Sequence, residues 1–163
     1  MEQEVLLIPI KQEHLDQLLA IRNSDHVCAS CWETDKISEK RHRNWYSSVK
    51  RKKCIEQFVV TKNDIVIGAC SLRIGKSNSA EFSIFIDKNY CGQGIGKQAM
   101  KKLIRFGFSE INLHKIWGMV FEFNVGALEM YKKIGFKIEG KLREHLFRDD
   151  RYYDVYIVGM IGK

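Results

Sequence analysis

Three glycines fall at alternate positions in Cys91-Gly-Gln-Gly-Ile-Gly96, after an alternating segment, Ala80 to Ile86, and before an amphipathic run that opens at Ile95. This arrangement constrains the chain more than any other feature. A glycine turn that delivers a strand into a helix leaves backbone N–H groups unpaired at the helix start, and the helix dipole favours an anion there. Glycine also lets a ligand lie against the backbone without meeting a Cβ. A tight strand-to-helix connection with no ligand has the same composition, so the turn needs company to carry a function. Two named phosphate motifs fail. A dinucleotide fingerprint starting at Gly92 needs glycine where Lys97 stands, and a P-loop ending at Gly96-Lys97 meets Cys91 and Gln98 at two required positions.

The rest of the pattern is a single mixed α/β domain over residues 1–163, with elements in the order β-α-α-β-β-β-α-β-α-β-β. Val5 to Ile10 reads as a strand ended by Pro9, and His14 to Arg22 as a helix closed by Arg22-Asn23-Ser24-Asp25. Ser38 caps a second helix to about Lys52, and Asn63-Asp64 joins two strands, Gln57 to Lys62 and Ile65 to Ile74. Ile95, Ala99, Met100, Leu103, Ile104 and Phe108 form the buried stripe of the helix after the glycines. Strands follow at Lys115 to Phe121, Phe136 to Leu142 and Tyr152 to Ile161, with a short helix from Asn124 to Ile134 between the first two.

Composition excludes some classes. With 163 residues, 45% hydrophobic, and one proline, the chain can build a core and shows no disordered linker. It has no apolar run of the ~20 residues needed to cross a bilayer, and Met1-Glu2-Gln3-Glu4 is not a signal-peptide start, so the expected place is the cytoplasm. Five cysteines read as free thiols; Cys28-x-x-Cys31 with His26 and His42 nearby is half a ligand set, and no metal is expected. A net charge of +7 points to an anionic partner. Acidic residues break up the basic helices, which makes nucleic acid an unlikely one, though a binding module without catalysis is the non-enzymatic alternative.

A second element completes the argument. Asn124-Val-Gly-Ala127-Leu-Glu-Met-Tyr131-Lys-Lys-Ile-Gly135-Phe136 matches N-x-x-A-x-x-x-Y-x-x-x-G-F at every specified position. With Ile86 to Gly96, it resembles the GCN5-related N-acetyltransferase (GNAT) superfamily, whose turn reads V-x-P-x-x-R-G-x-G-x-G. This chain departs at Lys88 and Cys91; Cys91 removes a side chain but no backbone donor. The resemblance implies acetyl-CoA as co-substrate, held along Ile84, Phe85 and Ile86, across Cys91, Gly92, Gln93, Gly94, Ile95, Gly96 and Lys97, and by Asn124 and Tyr131. Asn124 is expected to cap its helix, and Gly135 to end it.

Acetyl transfer to an amine needs a neutral amine, a stabilised oxyanion and a proton for the leaving thiolate. Alkyl ammonium groups have pKa values near ~10, so a base helps. Glu81 and Ser83 share one face of the strand before the glycine turn, which makes Glu81 the candidate base through water and Ser83 its orienter. A carboxylate on the strand's solvated end is the plain alternative. Tyr131 is the candidate acid, with an unperturbed pKa (~10) not far from a thiol's (~8.5).

For the acceptor, Arg22-Asn23, His42-x-x-Trp45 and Tyr152-Tyr153-Asp154 resemble the branch acting on nucleotide-linked 4-amino sugars, as in pseudaminic acid synthesis. Arg22 and His42 would face a diphosphate, and Trp45 or Tyr90 would stack on a base or sugar, with Asn23 beside them. That branch blends into ribosomal-protein N-terminal acetyltransferases and polyamine acetyltransferases, which are the alternatives. A monomer or homodimer acting on a small amine, most simply a UDP-amino sugar, is the expectation.

Overall fold

The computed structural model describes residues 4–163; Met1 to Gln3, part of the acidic start, lie outside the described residues. Seven strands form one sheet in the order β1-β2-β3-β4-β5-β7-β6. These are β1 Val5–Pro9, β2 Ile55–Lys62, β3 Ile65–Ile74, β4 Ser79–Ile86, β5 Lys115–Phe121, β6 Lys137–Arg148 and β7 Arg151–Ile161. The helices are α1 Leu15–Arg22, α2 Asp25–Cys28, α3 Glu39–Arg51, α4 Ile95–Arg105 and α5 Val125–Lys133. Among the described residues no helix is long and apolar enough to cross a membrane.

Helices cover both faces. The α4 stripe buries Ile95, Ala99, Met100 and Leu103 against Val60, Leu72, Phe82 and Ile116, and α5 adds Leu128 and Tyr131 to the same core. Truncating a wholly buried side chain such as Leu103 to Ala costs ~2–5 kcal/mol. On the other face Leu18 of α1 packs with Val59, Ala69 and Phe85, and α3 lies beside α1.

Adjacent strands run antiparallel except β4 and β5, which run parallel and pair only through Ser79–Lys115, Ala80–Ile116 and Glu81–Trp117. Beyond Glu81 the two strands part, and Phe82 to Ile86 keep ladder partners on β3 alone. Gly118 permits this opening to be floored: a Cβ there would sit 2.6 Å from the Phe82 ring.

Local signals behave as their chemistry dictates. Asn63 and Asp64 take φ of 51° and 62°, the twist a two-residue hairpin needs. Ser38 accepts the Arg41 N–H and caps α3. Gly135 ends α5 with a φ of 108°. Three expectations are corrected. The stretch after Arg22 is not only a turn, because Ser24 accepts the Val27 N–H and starts α2. The stripe to Phe108 is not all α-helix; Phe106–Glu110 winds as a π-turn, bringing Gly107 so near Ile116 that a Cβ would lie 2.7 Å from its Cδ1. The sixth strand runs on past Leu142 to Arg148, since irregularities between Ile138 and Gly140 and between Leu142 and Leu146 break the alternation that marks a strand.

Candidate active site

The glycine turn meets the opening between β4 and β5. Gly92 and Gly94 hold φ of 75° and 76°, which L side chains rarely adopt, and a Cβ on either would meet nothing within 4 Å. The first helical bond of α4 runs from Gln98 N–H to Gly94 C=O at 3.0 Å, and no side chain caps the helix. The amides of Ile95, Gly96 and Lys97 therefore precede the ladder, with the dipole's positive end behind them. Lys97 is exposed, and the Lys62 ammonium approaches Gln93 Oε1 at 3.5 Å and the Tyr90 ring at 6.0 Å. This cradle fits a pyrophosphate. Tyr90 is half-buried beside it and packs against the core on the α4 side, so it belongs to the turn and not to the substrate group it was expected to join.

Cys91 Sγ lies 3.4 Å from His26 Nε2 of α2. Burial, and then the Asp87 carboxylate, push its thiol up, so it stays protonated at neutral pH and is a poor nucleophile. Asn124 holds the N-cap position of α5 through its backbone only, the Leu128 N–H bonding its C=O at 3.1 Å. Its side chain makes no capping bond, contrary to expectation, and is available to a ligand.

The candidate catalytic residues divide between the faces. Tyr131 is buried on the α4 side, its ring 4.9 Å from Phe82 and 5.7 Å from Phe136. Burial pushes its phenol well above the usual value. That keeps the proton in place but widens the gap to a thiol that the unperturbed values suggested. Glu81 and Ser83 point to the opposite face of β4, where Glu81 forms an ion pair with Arg73 and Ser83 Oγ lies 2.8 Å from Ser71 Oγ. Tyr131 and Glu81 thus lie on opposite faces of the sheet, and the opening begins just past the Glu81–Trp117 pair.

On that second face an aromatic wall stands at the far end of β5. Trp32 meets Phe121 edge-on at 4.9 Å, Phe121 lies 5.4 Å from Phe123, and Phe123 lies 5.0 Å from Tyr153 of β7. The segment between α2 and α3 carries Trp32 and forms a loop over this wall.

A family model described as an acetyltransferase (GNAT) domain matches residues 4–137. The chain belongs to the GNAT family. It is 30% identical over 108 residues to an uncharacterised N-acetyltransferase, p20, of Bacillus licheniformis, covering 65% of this chain and 61% of that protein. It is 37% identical over 73 residues to a spermidine N(1)-acetyltransferase of Escherichia coli, covering 45% of this chain and 39% of that protein. The chain therefore spans less than two thirds of the length of these relatives. The crystal structure of the spermidine N-acetyltransferase of Vibrio cholerae, in complex with CoA and spermine, superimposes with a TM-score of 0.91 at 26% identity. It covers 96% of this chain and 95% of that one.

Within this GNAT domain the side chains read as a nucleotide-sugar group have other partners. The Asn23 amide bonds both the Ile37 N–H at 2.8 Å and its C=O at 2.9 Å, so it pins the loop. Arg22 reaches Cys28 Sγ at 3.5 Å and the Glu33 C=O at 3.3 Å. His42 is buried with Nε2 unpartnered among the described residues, and burial pulls its pKa down, which suits it poorly to pairing with a phosphate. Trp45 is half-exposed and stacks on His42 at 5.1 Å. Asp154 accepts the Glu144 N–H at 2.8 Å and pairs with Lys141, which holds the β6 irregularity together. Among the described residues no three metal-ligating side chains gather, and burial pushes the Cys31 thiol up.

Sequence reading missed Trp32, Phe121, Phe123 and Arg148. Nothing local marks them, because the wall exists only where a loop, β5 and β7 converge.

Proposed function

We propose that this chain transfers an acetyl group from acetyl-CoA to a primary amine of an aliphatic polyamine. The observation that carries the reading is the opening between β4 and β5. It joins a face with an uncapped helix N-terminus and a buried tyrosine to a face with a carboxylate and an aromatic wall.

When bound, acetyl-CoA supplies the acetyl group as an activated thioester. The amides of Ile95, Gly96 and Lys97 would hold its phosphates, the backbone of Ile84 to Ile86 would line its arm, and the Asn124 side chain is free to reach it. Glu81, through a water oriented by Ser83, takes a proton from the incoming ammonium, and its ion pair with Arg73 fixes the carboxylate's direction. Tyr131 would donate its Oη–H as a hydrogen bond to the departing sulfur, and the released thiolate would take its proton from water. Because its phenol is pushed up, the tyrosine stabilises developing negative charge by hydrogen bonding more than by complete proton transfer.

Two lines support a polyamine. The E. coli and V. cholerae relatives described above are spermidine acetyltransferases. The aromatic wall already accommodates cations, with the Arg148 guanidinium 5.4 Å from the Phe121 ring and that of Arg151 4.2 Å from Tyr153. The nucleotide-sugar reading loses its support with Arg22 and Asn23 engaged elsewhere and His42 buried against Trp45. The basic charge suits the coenzyme's phosphates.

Acetyl-CoA turnover should be measured with spermidine, spermine, a UDP-4-amino sugar and a peptide with a free N-terminus. A polyamine should lead by ~10²-fold or more in kcat/KM, since the aromatic wall and the Glu81 carboxylate favour an alkylammonium over a diphosphate. A UDP-amino sugar in the lead would overturn the proposal.

A further inference from the structure

Arg148, the last residue of β6, reaches across the molecule to the loop between α2 and α3. Its guanidinium donates to two backbone oxygens there, the carbonyls of Ala29 and Cys31. The same group lies 5.4 Å from the Phe121 ring centre and 5.6 Å from that of Phe123. One planar fork therefore ties a segment more than a hundred positions away to two aromatic residues at the end of β5. Trp32 follows Cys31 directly and closes on Phe121 edge-on at 4.9 Å, with His145 of β6 6.0 Å away. The loop's other end is pinned by Asn23 to Ile37. Between these pins the loop holds Glu33, which pairs with Arg41 at 2.7 Å, and exposed Lys36.

We infer that Arg148 is a positioning residue for amine transfer: it sets the height of the Trp32 loop over the aromatic wall and thereby shapes the acceptor side of the opening. This rests on the acceptor face proposed above. The β6–β7 ladder closes through Arg148–Arg151 backbone pairing, which does not itself call for an arginine side chain. The guanidinium also fills the corner between Phe121 and Phe123, so an acceptor's ammonium is directed to the aromatic surface that Trp32 borders and away from that corner. Arginine suits this because it spans two carbonyls and stacks on rings at once. Lysine would keep the charge over the rings but lose the fork.

The test uses the full chain with R148A, R148K and the second loop pin N23A. Three quantities are read: steady-state kinetics with spermidine, calorimetric affinity for CoA, and the rate of tryptic cleavage after Lys36. R148A should raise the spermidine KM about 10-fold or more, with CoA affinity within about 2-fold and kcat changed little. Cleavage after Lys36 should quicken several-fold. R148K should fall between, and N23A with R148A should add less than the product of the single effects, since both act on one loop. An unchanged acceptor KM beside faster cleavage would make Arg148 a structural tether only and overturn the proposal, as would unchanged cleavage. Equal losses in CoA affinity and acceptor KM would do the same, because a general loss of fold moves both. If the wild type turns over no polyamine, the acceptor reading fails by itself. The same variants, assayed on whichever amine is turned over, then decide the role of Arg148.

Discussion

The α4 side of the opening and the Trp32 side are built by different rules. On the α4 side, each working part is a property of consecutive residues: two glycines with positive φ, three amides ahead of a helical ladder, and a tyrosine one helical turn past an alanine. On the Trp32 side, each part is a junction between remote segments, with Trp32 on Phe121, Arg148 on Ala29 and Cys31, and Tyr153 on Phe123. The first kind of site is encoded by a short pattern of neighbouring residues. The second can be re-specified by one or two contacts while the fold stays as it is, which is how one GNAT scaffold can serve different amines.

The largest expected effect falls on the locally encoded side. Gly94→Val forces a β-branched residue to a φ of 76° at the start of α4 and puts its branches in the phosphate path. CoA affinity should fall at least ~10²-fold by calorimetry, and an unchanged affinity would remove the turn from the coenzyme site. Next comes Tyr131→Phe, which keeps the packing on Phe82 and removes one donor. Turnover should fall ~10²–10³-fold with CoA affinity nearly unchanged, the cost of removing one hydrogen-bond donor to developing charge. A loss of only a few-fold would mean that water, not Tyr131, supplies that hydrogen bond to the sulfur. Since burial holds the phenol protonated, Tyr131 should produce no alkaline fall in kcat below pH ~10.

The legibility of the molecule follows the same division. Strand and helix order could be read because periodicity and the cues at Ser38, Asn63-Asp64 and Gly135 are local, and α4 was placed by its apolar stripe. Glu81 and Ser83 were correctly assigned one face, since alternation requires it. What alternation could not tell is that Tyr131 lies across the sheet from them, which depends on which face α5 packs against. Asn23 and Arg22 read as ligand groups because polar residues near a helix end are ambiguous until the loop they bind is located, and His42 because its burial depends on how α3 packs against α1. The wall of Trp32, Phe121 and Phe123 left no periodic trace, and the β6 irregularities concealed the reach of Arg148.

Smaller effects test whether the loop side is as uninvolved in phosphate or metal binding as its contacts imply. The folded-state pKa of His42 is depressed by burial, so the unfolded chain binds its proton more readily. The stability this group contributes is present above the unfolded value (~6.5) and is lost as pH falls through the depressed folded value. His42→Phe keeps a ring against Trp45 and removes the unpartnered Nε2. The drop in Tm between pH 8 and pH 5 should narrow by roughly a few degrees in this variant, and an unchanged drop would show that His42 finds a proton partner. The least change is expected from Cys28→Ser with Cys31→Ser. Activity and Tm should stay near wild type, and elemental analysis should find no stoichiometric zinc in either protein. Zinc lost on double substitution would restore the metal reading.

The measurement that bears most directly on the two-sided opening is initial-rate kinetics with both substrates varied, comparing Gly94→Ala with Trp32→Ala. Alanine at a φ of 76° costs about 1–2 kcal/mol of local conformation, which should appear as a raised KM for acetyl-CoA of ~5–30-fold with the spermidine KM unmoved. Removing the Trp32 ring from Phe121 should do the reverse, raising the spermidine KM ~10-fold and leaving the acetyl-CoA KM in place. Two variants that move the same Michaelis constant would contradict the account, because coenzyme and acceptor would then share one face of the sheet.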